Sequence, residues 1–132
     1  MRFPLLGRWE DAETGEVLVE RLLVAQTFLQ RLRGLQFARP LEPDCGLLLR
    51  HCRSVHTMWM RFAIDVVFLN AEFEIQEIRT GTPPWRFVIP KAAHAAHVVE
   101  LTAGCSQRLF VGQKTRTALT TYSEVVAREL VQ

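Results

Sequence analysis

Apolar residues recur in short blocks along the chain, and most of the blocks read as strands. EVLVERLLVA (16–25), rich in Val and Leu and preceded by the turn pair Thr14-Gly15, is the first. Thr27 with Gln30 three residues on forms a capping box before Phe28, Leu29 and Leu32, and Gly34 supplies a left-handed stop. That spacing predicts a helix of about two turns, too short to stand without packing on the domain. RPLEPDCG (39–46) is loop by its prolines, and GLLLRH (46–51) follows as a short strand. Asn70-Ala71-Glu72 reads as a hairpin turn, Asn tolerating the left-handed region. FEIQEIR (73–79) pairs back, with a change of phase between Ile75 and Ile78 that predicts a bulge. GTPPW (81–85) and Pro90 break the chain, and HVVEL (97–101) is a strand carrying one carboxylate, Glu100. A second capping box, Thr121 with Glu124, precedes Tyr122, Val126 and Leu130 at helical spacing, so an amphipathic helix is expected at 122–130.

The longest apolar run, HTMWMRFAIDVVFLN (56–70), contains an anomaly: Asp65 sits among Ile, Val, Phe and Leu. Alternation along a strand places Met58, Met60, Phe62, Ile64, Val66 and Phe68 on one face, with His56 at its start. Thr57, Trp59, Arg61, Ala63, Asp65, Val67 and Leu69 fall on the other. The first face is expected to be core, the second partly buried and rich in hydrogen-bonding groups. Strands seldom exceed ~10 residues, so a bend near Arg61 to Ala63 is expected. Burying an unpaired carboxylate costs several kcal/mol, so Asp65 needs a partner, either Arg61 or a backbone N–H at the bend. It then either pins the bend or anchors something bound in a groove beside Trp59.

Composition narrows the classes. A chain of 132 residues, 48% hydrophobic and 23% charged, fits one globular domain spanning 1–132. A net charge of +2 is too weak to argue for nucleic acid, and Arg21, Arg31, Arg33 and Arg39 read as solvated surface ahead of a phosphate-binding patch. No signal-peptide core or membrane-spanning run is present, and three cysteines without such a signal point to reduced thiols and a cytoplasmic home. Cys45, Cys52, His56, His94, His97 and Cys105 lack the paired spacing of zinc ligands, so no metal and no cofactor is expected. An extended chain would hold Cys52 and His56 about 13 Å apart, too far for a thiol–imidazole pair. The chain contains no G-x-S-x-G, P-loop, G-x-G-x-x-G or H-E-x-x-H.

RLRGL (31–35), CGLLL (45–49), VHTMWMRFAIDVVFL (55–69), PPWR (83–86) and VVELTAG (98–104) occur in an order that resembles the family called domain of unknown function 192. The resemblance marks Arg33, Gly34, His56, Thr57, Met60, Arg61, Asp65, Phe68, Glu100 and Gly104. The chain departs from the pattern at Trp59, Ala63, Asn70 and Gln113. The resemblance implies a compact β-rich sandwich or barrel and no established activity.

Together these readings predict a mainly β (α+β) domain: a compact β-sandwich or barrel-like sheet with two or three short helices packed at its edges. The leading function is a ligand-binding module for a small polar or anionic ligand, with neither nucleic acid nor membrane as partner. Its groove would be lined by Thr57, Trp59, Arg61 and Asp65, with Glu100 from a neighbouring strand and His56 beside it. Two alternatives stand beside it. One is a hydrolytic enzyme with Asp65 or Glu100 as general base and His56 as acid or orienter; the other is a scaffold or interaction protein using the 122–130 helix.

Overall fold

The structure, a computed structural model, describes residues 3–25, 27, 35 and 40–119. Within them run β1 (Leu5–Asp11), β2 (Val17–Ala25), β3 (Cys45–Leu49), β4 (Val55–His56), β5 (Ile64–Leu69), β6 (Ile75–Thr82), β7 (Phe87–Val88), β8 (His97–Thr102) and β9 (Thr115–Leu119). Seven strands form one mixed sheet in the order β6-β5-β8-β3-β2-β1-β9, and β4 pairs with β7 in a separate ribbon. Only β2 and β3 run parallel. The fold is mainly β, as expected. No helix occurs among the described residues, so helices at the sheet's edges have no support there. The predicted helix after Thr27 and the one at 122–130 fall on residues outside the described set.

The sheet curls until its two ends meet at one corner. There Ile75 N–H donates to Gln113 O (2.9 Å), Gly112 N–H to Ile75 O (2.8 Å) and Thr115 N–H to Phe73 O (3.2 Å). The result is a curled mixed sheet, not a closed barrel.

Central strands are buried on both faces, which explains why they read as continuous apolar runs. All five residues of CGLLL and all six of IDVVFL are buried. Leu47, Leu49, Ile64, Val66, Phe68 and Val98 pack on one face with Val55 and Val88 of the ribbon and with Met60. On the other face Leu48, Val67, Leu69, Val99 and Leu101 pack around Trp9 and Leu22. Gly46 admits this packing: a Cβ there would come within 2.9 Å of the Leu101 side chain.

The expected hairpin forms after β5, but by a different device. Asn70 Oδ1 accepts the N–H groups of Glu72 (3.0 Å) and Glu74 (2.9 Å), while Phe73 takes the left-handed conformation (φ 63°). The expected bulge is present, since Phe68 faces Glu77 while Leu69 faces Ile75.

Candidate functional site

Strand β5 begins only at Ile64, and residues 57–63 form turns. Alternation therefore sorts side chains from Ile64 to Leu69 and no further back. Ile64, Val66 and Phe68 enter one core and Val67 and Leu69 the other, so the face expected to be partly open is itself core.

Asp65 is 1% exposed on that second face. Its partner is not Arg61, which lies exposed before the strand. Oδ1 accepts the Gly81 N–H (2.8 Å); Oδ2 accepts the N–H groups of Gly104 (3.0 Å) and Ser106 (3.1 Å) and the Ser106 hydroxyl (2.6 Å). Both glycines need a left-handed backbone, φ 58° at Gly81 and 90° at Gly104, which other residues rarely adopt. Asp65 thus ties the end of β6 to the loop after β8. Three of the four donors crowd Oδ2 and one reaches Oδ1, so the buried carboxylate's hydration is replaced chiefly by backbone N–H groups, the pattern of a structural anchor.

Glu100 stands opposite Val66 of β5 and Leu47 of β3, whereas Asp65 stands opposite Leu101. The two acids therefore project from opposite faces of the sheet. This corrects the expectation of one groove holding both, and with it the arrangement that would bring either acid, interchangeably, to His56. Glu100 is 2% exposed, and its Oε2 has no hydrogen-bond partner among the described residues. Burial pushes its carboxyl up to about 8, so the acid is largely neutral at pH 7.

Thr57, Trp59 and Arg61 sit on the turns between β4 and β5. Thr57 is fully buried and joins two turns. Its hydroxyl donates to Pro83 O (2.7 Å) and accepts the Arg86 N–H (2.9 Å). Its N–H donates to Arg86 O (2.8 Å), and its carbonyl accepts the N–H groups of Met60 (3.2 Å) and Trp85 (3.0 Å). Each joined turn presents a tryptophan in the left-handed region, Trp59 at φ 63° and Trp85 at φ 67°. Such a backbone costs a bulky residue about 1–3 kcal/mol and persists only where its surroundings over-determine it; the Thr57 bonds do so. The two rings meet edge to face with centroids 4.8 Å apart, and they are 54% and 50% exposed.

Beside this pair His56 faces Phe87 across the β4–β7 ribbon, their centroids 6.3 Å apart. Phe87 is exposed on the side opposite buried Val88. An open cleft of about 480 Å³ runs along β6 and β7, lined by Arg79, Gly81, Thr82, Pro83, Arg86 and Phe87. Its Gly81 wall is the one that Asp65 holds. A second cleft of about 630 Å³ at the Asn70 hairpin mixes Glu72 and Glu74 with Arg53 and His94, so it favours neither sign of charge.

Of the residues singled out in the sequence, His56, Thr57 and Trp59 come together, with Arg61 next to them on the exposed turn. Trp85, Arg86 and Phe87 complete the surface. Sequence reasoning missed them as site residues, although PPWR was visible as a motif. Its pairing with the 57–60 turn depends on a two-residue strand that carries no periodic signal. His97 is engaged elsewhere: its Nδ1 accepts the His51 N–H (3.0 Å), and Phe73 stacks on its ring.

A family model described as DUF192, Uncharacterized ACR, matches residues 10–118. A UPF0127 protein of Pyrococcus furiosus is 39% identical over 90 residues, which cover 66% of this chain and 76% of that protein. A UPF0127 protein of Thermococcus sibiricus is 32% identical over 94 residues, covering 68% and 60% respectively. Among solved structures, a protein of unknown function from Novosphingobium aromaticivorans superposes with a TM-score of 0.73 at 17% identity, over 84% of each chain. A putative transcription regulator from Sinorhizobium meliloti gives 0.73 at 24% identity, over 89% of this chain and 96% of that one. At these identities the structural likeness is one of fold.

Proposed function

Taking as premise that the chain belongs to the uncharacterized DUF192 family, we propose that it is a ligand-binding module whose recognition surface is the Trp59–Trp85 pair and the adjoining Arg86 cleft. The tryptophan pair carries the reading. Two large rings, half exposed and fixed in a backbone conformation that bulky residues rarely adopt, are what a stacking platform requires. Arg79 and Arg86 line the cleft beside it, and Ile78, Pro83 and Val88 supply apolar wall. A ligand with a planar apolar part and an anionic group matches both halves. Asp65 acts behind the cleft by positioning Gly81, and Thr57 acts beneath the rings by joining their turns.

Naphthalene-2-sulfonate combines a planar ring with an anion and serves as the probe. Its addition should change tryptophan emission saturably. The Arg86→Gln variant should bind about tenfold more weakly, the loss of one charge-assisted contact worth about 1.4 kcal/mol. An emission spectrum unmoved by the probe would count against the reading.

A further inference from the structure

Resting on that reading and naming the partner it left open, we infer that the tryptophan platform receives single-stranded nucleic acid. The net charge of +2 averages over an uneven distribution. Residues 50–64 and 78–99, which the β4–β7 ribbon and Thr57 bring together, contain six basic residues and not one Asp or Glu; Arg53 shares the second cleft with Glu72 and Glu74, and Arg61 and Arg86 are the cations on the two tryptophan-bearing turns. All 14 acidic residues lie elsewhere, so the rest of the chain is net negative. Asp65 is buried behind Gly81 among its four donors, and Glu77 and Arg79 form an ion pair that compensates both charges, so Arg79 is not counted among the cations offered to a ligand.

Charge alone would suit any anion; the rings select among them. Trp59 and Trp85 form one aromatic pair, and His56 and Phe87 form a second on the paired ribbon strands. Phe87 is the most exposed of these, at 73%. A single small ligand covers one ring face, and an acidic peptide would use the arginines while leaving the rings without π partners. A single strand places a flat base and a phosphate in every repeat, so it engages both sets of groups. Thr57 keeps the two turns in fixed relation, which lets successive bases meet preformed surfaces.

The test uses the full chain and a fluorescein-labelled oligothymidylate of about ten nucleotides, within the usual site size for such surfaces. Anisotropy should report binding that weakens with KCl at a log–log slope of about −2, as for roughly three phosphates on a single strand. Tryptophan emission should be quenched in parallel. Arg86→Gln and Trp85→Phe should each weaken binding several-fold, whereas Arg108→Ala, which removes a side chain paired with Glu16, should leave it unchanged. Polyglutamate of matched length binding as tightly as the oligonucleotide would overturn the inference in favour of an acidic peptide. Naphthalene-2-sulfonate bound without oligonucleotide binding would overturn it while sparing the proposed module. Binding of neither would overturn both.

Discussion

A carboxylate inside an apolar strand must replace its hydration, and Asp65 does so with three backbone N–H groups and one hydroxyl. Replacing it with Asn substitutes an amide that turns donors toward donors. Urea unfolding of Asp65→Asn should show a loss of about 3 kcal/mol, the scale of hydrogen bonds to a charged group. Glu100 behaves oppositely, because no described group accepts from or donates to its Oε2. Its ordinary value is 4.5 and its folded value about 8, so between them the unfolded chain is the more ionised state. Glu100 therefore contributes stability that is full below about 4.5 and is lost as pH rises to about 8. Glu100→Gln should flatten the fall in stability across that window, measured by thermal unfolding at stepped pH; an unchanged slope would contradict the assignment. Both acids were conspicuous in the sequence as lone charges in apolar runs. Their partners were not legible, because Gly81, Gly104 and Ser106 lie far along the chain and offer mainly backbone groups.

Regular strands with strong composition were readable: β2, β3, β6 and β8 fall where Val, Leu and Ile concentrate between turn signals. Alternation makes the run at 56–70 one bent strand, and the chain does bend at Arg61 and Phe62, within the stretch where strand length requires it. Alternation does not carry through a bend, so the parity that puts Thr57, Trp59 and Arg61 on Asp65's face fails before Ile64. β1, β7 and β9 carry no such signal. LLGRWED mixes charges with apolar residues, and Phe87–Val88 is too short to show a period. At this scale Thr57 is the decisive residue, since one buried hydroxyl serves both turns. Thr57→Val keeps the shape and removes the hydroxyl, leaving Pro83 O and Arg86 N–H without it. A loss of about 1–3 kcal/mol is expected, together with changed Trp59 and Trp85 emission. Loss of stability with unaltered emission would show that the turns keep their relation without the hydroxyl.

For the molecule as a whole, composition and periodicity gave a β-rich domain. The curl of the sheet and its stitched corner depend on contacts between residues 73–75 and 112–115 that no local pattern announces. The charge balance is legible in the sequence only as a total, which conceals that Arg61 and Arg86 meet on the surface beside the tryptophans when two acid-free segments pair. That surface, not the interior of the sheet, is where ligand recognition is proposed, and tryptophan distributes itself usefully for a test. Of three tryptophans, Trp9 is buried with its indole N–H donated to the Thr115 hydroxyl (2.8 Å), while Trp59 and Trp85 are half exposed. The most direct measurement is an NMR titration that follows the three indole N–H signals during addition of naphthalene-2-sulfonate. The platform predicts that the Trp59 and Trp85 signals move together and saturably while Trp9 stays still. Movement of Trp9 with the other two, or of none, would contradict it.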